Sequence, residues 1–145
     1  MKLKNILLIL ILAIVLTGCT TQNPGPTVTI YKTPNCGCCV GYSSYLESND
    51  YNVKIISLDD LSSIKDKYNI PQNMESCHTM IIDDYFVEGH VPIEVVEKLV
   101  NEKPNIDGIA LPRMPAGSPG MPGKKIEPFT IYSLINGEEM VYTKS

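Results

Sequence analysis

The chain has 145 residues, 43% of them hydrophobic and 19% charged, with a formal charge of −4 at pH 7. That length is one domain with a modest core, and the acidic balance argues against nucleic-acid binding. No phosphate loop, Ser-His-Asp set or paired carboxylate site stands out, which leaves the five cysteines as the chemistry-bearing residues.

The N-terminus opens on Met1-Lys2-Leu3-Lys4, and an uncharged apolar run follows from Ile6 to Leu16. The run is shorter than the roughly 20 residues a spanning helix needs, and it ends in Leu16-Thr17-Gly18-Cys19. This reads as a lipoprotein-type signal peptide over residues 1–18, with Cys19 the lipidated residue and 19–26 a polar tether. An uncleaved anchor is the alternative. Both readings place the domain outside the cytoplasm and hold it to the membrane. Cleavage removes Lys2 and Lys4 and takes the charge from −4 to −6.

The domain is expected over residues 27–145. Thr27 to Lys32 alternates β-branched and aromatic residues and predicts a strand, broken by Thr33-Pro34-Asn35. Val40, Tyr42, Tyr45 and Leu46 recur at helical spacing and predict a helix from Cys36 to about Asn49. Asn52 to Leu58 predicts a second strand, and Asp59 or Asp60 can cap a helix running to Tyr68. Thr79 to Ile82 and Tyr85 to Glu88 predict a hairpin turning at Asp83-Asp84, and Val91-Pro92-Ile93-Glu94 opens a helix to about Glu102. Both Asp pairs read as cap and turn rather than catalytic dyads. Pro104 to Pro128 is rich in Pro and Gly and predicts no regular element. Phe129 to Ile135 and Glu138 to Tyr142 predict a closing hairpin around Asn136-Gly137. The β-α-β start with Cys-x-x-Cys at the first helix is the order of an α/β, thioredoxin-like fold, to which the Pro/Gly-rich loop and the C-terminal hairpin are additions.

Cys36-Gly37-Cys38-Cys39 puts three thiols in four residues, and Cys77-His78 adds a thiol and an imidazole. A helix N-terminus favours a thiolate, so Cys36 is expected to be the most reactive. Cys36 and Cys39 are placed as the nucleophile and resolving thiol of a disulfide oxidoreductase. Cys38 argues the other way: a third thiol competes in exchange but serves a soft cation as a further ligand. Cu(I) suits such a set, and adjacent Cys38 and Cys39 point to bridging thiolates and more than one metal. Cys36, Cys39, Cys77 and His78 would also satisfy a tetrahedral zinc site, although the ligand spacing lacks a second knuckle. His90 and the loop methionines Met114 and Met121 are weaker ligand candidates. A solvated histidine and a hydrophobic lid are their ordinary alternatives, and a purely structural disulfide module is the ordinary alternative for the thiols.

Tyr31-Lys32-Thr33-Pro34-Asn35-Cys36-Gly37-Cys38-Cys39, Ser76-Cys77-His78-Thr79, Glu88-Gly89-His90-Val91-Pro92 and Met114-Pro115-Ala116-Gly117-Ser118-Pro119-Gly120-Met121 together resemble the CopG-type copper-resistance family. These are periplasmic copper-binding proteins, distinct from the repressors that share the name. The resemblance implies a thioredoxin fold whose cysteines hold copper, with a role in copper redox handling and a further copper carrier or exporter as partner. It implies Cys36, Cys38, Cys39 and Cys77 as ligands, with Ser76-Cys77-His78 in the place where thioredoxins carry a cis-proline loop. Three departures stand out: Tyr42 where the family commonly has tryptophan, Arg113 where glycine is expected before Met114, and lipoprotein anchoring in place of a freely soluble periplasmic form.

Overall fold

The computed structural model describes residues 25–145, so the expected signal peptide, Cys19 and most of the expected tether lie outside the described residues. The elements in chain order are β1 (Thr27–Lys32), α1 (Cys38–Glu47), β2 (Asn52–Ser57), α2 (Ser62–Lys67), a 3-10 turn (Gln72–Met74), β3 (His78–Ile82), β4 (Tyr85–Glu88), α3 (Ile93–Glu102), β5 (Gly108–Ala110), β6 (Thr130–Ile135) and β7 (Glu138–Lys144). Seven strands form one sheet in the order β2-β1-β3-β4-β5-β6-β7. β1 runs parallel to β2 and antiparallel to β3, and β3 and β4 form the expected hairpin. This is a mixed α/β arrangement in the element order expected of a thioredoxin-like fold, extended past β4.

The alternation along each strand sorts side chains to two faces. Val28, Ile30, Met80, Ile82 and Val87 join Tyr42 and Leu46 of α1 and Val95, Val96 and Leu99 of α3 in the main core. Phe86, Ala110 and Leu134 face the other way and pack with Ile70 and Met74. His78, in step with Met80, belongs to the main-core face. Thr79 and Glu88, paired in register, belong to the second.

Three expectations change. α1 begins at Cys38 rather than Cys36: a turn in which the Cys36 amide donates to the Thr33 carbonyl at 3.1 Å precedes it. α2 is shorter than predicted, and Asp60 caps it from outside, its Oδ1 accepting from the Ser62 amide and hydroxyl at 3.2 and 2.8 Å. The Pro/Gly-rich stretch does contain a regular element. β5 pairs parallel with β4 and antiparallel with β6, so the terminal hairpin continues the central sheet.

Candidate metal centre

The carboxyl end of β1 and the start of β3 are neighbours, because Lys32 pairs with His78 in register. The two cysteine-bearing segments therefore meet at one end of the sheet. Gly37 takes helical angles (φ −68°, ψ −38°) and leads into α1. This places Cys38 and Cys39 on its first turn and Cys36 just before it. Cys36 and Cys39 are buried, whereas Cys38 and Cys77 are half-buried.

All four sulfurs lie within 4.8 Å of one another. Cys36 and Cys39 form a disulfide with their Cα atoms 5.5 Å apart. Cys77 Sγ is 2.8 Å from Cys36 Sγ, 3.4 Å from Cys38 Sγ and 3.7 Å from Cys39 Sγ. The thiol of the distant segment thus touches every sulfur of the Cys-Gly-Cys-Cys run. Its pKa is pushed up to about 12, first by burial, then by the Cys38 thiol and by the Glu88 charge. Cys77 is therefore protonated at neutral pH, and a metal that binds there must displace the proton.

The Cys77 loop is held from the second face of the sheet. Glu88 Oε1 accepts from Lys65 Nζ and from the Ser76 amide, both at 2.5 Å, while Glu88 Oε2 accepts from the Thr79 hydroxyl at 2.7 Å. Lys65 and Glu88 are both buried. Burial raises the Glu88 pKa, and the Lys65 charge and these hydrogen bonds oppose the rise. Nothing in the sequence marks this pair, since a lysine in a short polar helix ordinarily reads as solvated.

The histidines lie on the other face. His78 Nδ1 is 4.0 Å from Cys77 Sγ, at the limit of contact. His90 lies against His78, with ring centroids 5.1 Å apart, and its Nδ1 donates to the Pro119 carbonyl at 2.6 Å. Both rings are fully buried, and neither Nε2 has a hydrogen-bond partner. Burial lowers both pKa values, that of His78 to about 3 with help from His90 and Lys65. They are neutral imidazoles rather than solvated loop residues. Tyr42, in place of tryptophan, packs its ring on both at 5.3 and 4.9 Å and donates its hydroxyl to the Val91 carbonyl at 2.9 Å, so its polar tip is satisfied.

Of the two loop methionines, the structure brings in one. Met114 Sδ is 3.6 Å from Cys77 Sγ, whereas no such sulfur contact joins Met121 to the cluster among the described residues. Arg113 and Met114 are consecutive left-handed residues, φ 64° and 43°. This conformation costs a non-glycine residue roughly 1–2 kcal/mol and explains why glycine would suit position 113.

A protein-family model described as "Protein of unknown function, DUF411" matches residues 74–121, the span holding Cys77, both histidines and both loop methionines. No relative matches among curated proteins. Two solved structures, of the copper resistance protein CopG in forms 1 and 2, each match at 36% identity and a TM-score of 0.75, covering 83% of this chain and 98% of theirs.

Proposed function

Because the chain belongs to the CopG copper resistance family, we propose that it holds Cu(I) on Cys36, Cys38, Cys39 and Cys77 in copper resistance or homeostasis outside the cytoplasm. The observation that carries this reading is the convergence of four sulfurs within 4.8 Å. Thiolates in that number and proximity suit a soft cation and can bridge ions, so the site takes more than one copper. Met114, with its thioether against Cys77, is the first candidate for an additional ligand, followed by His78. His90 and Met121 are weaker ones. The Cys36–Cys39 disulfide must be reduced before all four sulfurs can ligate, which ties metal capacity to redox state and makes redox cycling of copper part of the proposal. Zinc is the less favoured ion because the cysteines lack the spacing of a second zinc knuckle.

The rest of the proposal concerns place and partners. Lipidation at Cys19 tethers the domain to the membrane, where it exchanges copper with another carrier or an exporter. Among the described residues no helix is long and apolar enough to cross a membrane.

A second reading has an observation of its own: Cys77 Sγ stands 2.8 Å from the Cys36 sulfur of a formed disulfide. That places a third sulfur within reach of the disulfide, able to attack once it has lost its proton, and it supports a thiol-disulfide oxidoreductase using Cys36 and Cys39. Cys38→Ser separates the two. Copper per chain, measured anaerobically at saturating Cu(I), is expected to fall. Unchanged copper binding, together with full disulfide reductase activity, would transfer the function to exchange.

A further inference from the structure

At the end of the sheet that carries the thiols lies a cavity of about 440 Å³, lined in part by Leu111, Phe129, Arg113, Lys124, Lys144 and Glu127. Its size is that of a small-molecule site. Its charge is the reverse of the chain's. Three cations line it against one acid, in a protein of net charge −4 whose single arginine is among the three. None of the three is paired among the described residues. Among the described residues the only ion pair is Lys65–Glu88, and none of Arg113, Lys124 and Lys144 makes a side-chain hydrogen bond. The Arg113 guanidinium therefore keeps all of its N–H donors, in the planar fork that matches a carboxylate. The same stretch carries a fourth cation, Lys125, whose ammonium lies 4.8 Å from the centre of the Phe129 ring.

The sheet register locates the cavity. Lys32 pairs with His78, Thr79 with Glu88, Glu88 with Ala110, Ala110 with Tyr132, and Thr130 with Lys144. Leu111, Thr130 and Lys144 therefore stand at the same end of the sheet as the thiols. Arg113 of the cavity is followed by Met114, whose sulfur touches Cys77 at 3.6 Å. The chain enters the sheet at Thr27, which pairs with Asn52 at the opposite end. On the tethered reading the anchor joins the sheet at that far end, which favours a dissolved anion over a lipid headgroup in the cavity.

We propose that this cavity binds a small, soluble polycarboxylate, and that copper reaches the thiols as an anionic Cu(I) complex of such a chelator. The second half rests on the copper-binding reading above. The chelator's soft donors hold the metal and its carboxylates settle on Arg113, Lys124 and Lys144. Copper then passes to Cys77, with Met114 beside it, in the reduced protein. Each bond from copper to the chelator is replaced by one to sulfur, the Cys77 proton leaves to solvent, and copper stays Cu(I), so the step needs no oxidant or reductant. Unpaired surface cations of this kind act within a Debye length of about 10 Å at 0.1 M salt, so the capture is salt-sensitive.

The test uses the reduced, metal-free chain and an Arg113→Gln/Lys144→Gln variant, two exposed positions. Citrate, titrated while amide NMR signals are followed, is expected to shift residues 111–130 in the wild type, with affinity at least tenfold weaker in the variant and weaker again at high salt. No shift, or equal affinity in the two proteins, overturns the anion site. Cu(I) is then supplied either as its anionic bicinchoninate complex or as its cationic acetonitrile complex. The variant is expected to take copper about tenfold more slowly from the first and at the wild-type rate from the second, reaching the same final content. Equal slowing from both sources overturns the carrier role. If citrate binds as expected but neither source loads the wild type, the copper-binding reading has failed and the anion site stands.

Discussion

Glu88 fixes the position of Cys77 without touching its sulfur. One oxygen of its carboxylate accepts both from the Ser76 amide, next to Cys77, and from Lys65 of α2. Glu88→Gln leaves Lys65 buried without a counter-charge, and breaking a buried pair in this way costs about 3–5 kcal/mol. Urea unfolding should read that loss directly, and copper affinity should fall about 10- to 100-fold, as for other residues that orient a metal ligand. The double variant Lys65→Met/Glu88→Leu is expected to recover most of the stability but not the affinity. Recovery of both would show that the pair serves the core alone. The thiols were legible in the sequence because their density has little structural use. His78 and His90 were legible only as candidates: burial, which makes them neutral and leaves their Nε2 atoms unpartnered, follows from Tyr42 and the Pro119 carbonyl closing over them, and neither is near them in sequence.

The long loop is held to the first helix by two glycines. A Cβ on Gly41 would stand 2.8 Å from the Gly120 carbonyl, and Gly120 itself sits at φ 76° with its own Cβ direction blocked by the Tyr42 amide. Alanine in an open helix position gains up to about 1 kcal/mol over glycine. At Gly41 the gain is opposed by a backbone contact that cannot rotate away, so Gly41→Ala is expected to displace the loop and accelerate proteolytic cleavage within residues 112–128. Protection equal to the wild type would mean that the loop is anchored elsewhere. The β-α-β start, the hairpin and α3 could be read from periodicity, since each carries its own pattern. β5 could not. Three residues, Gly108-Ile109-Ala110, are too short to alternate, and the strand exists because β4 and β6 supply partners on both sides. Gly108 is required there by close approach, as a Cβ would meet the Phe86 carbonyl.

At the scale of the whole molecule, the end of the sheet bearing the thiols combines buried neutral imidazoles, a buried ion pair and an unpaired basic cavity. The imidazoles give the metal-free protein a pH dependence of definite sign. Unfolded histidine takes its proton near pH 6.5, whereas folded His78 does so only near 3 and His90 is lowered as well. The unfolded state therefore binds more protons between those values. Stability is full above about pH 6.5 and falls as the pH drops through that window, by about 1.4 kcal/mol per pH unit from His78, with His90 acting in the same direction. Lys65 and the partner imidazole reinforce the effect on His78. Glu88, whose raised pKa lets the folded state take up a proton first, opposes it in the lower part of the window. The urea midpoint of the metal-free chain should be lower at pH 5 than at pH 7, and equal midpoints would contradict the buried neutral state.

The four-sulfur site itself is tested most directly by anaerobic titration of the reduced chain with Cu(I) against a competing chelator, with metal counted per chain. Two or more coppers held tightly by each chain is the predicted result. A chain that surrenders its copper to a weak chelator, while its thiols still reduce a model disulfide, would contradict a copper site and leave disulfide exchange as the chemistry of these cysteines.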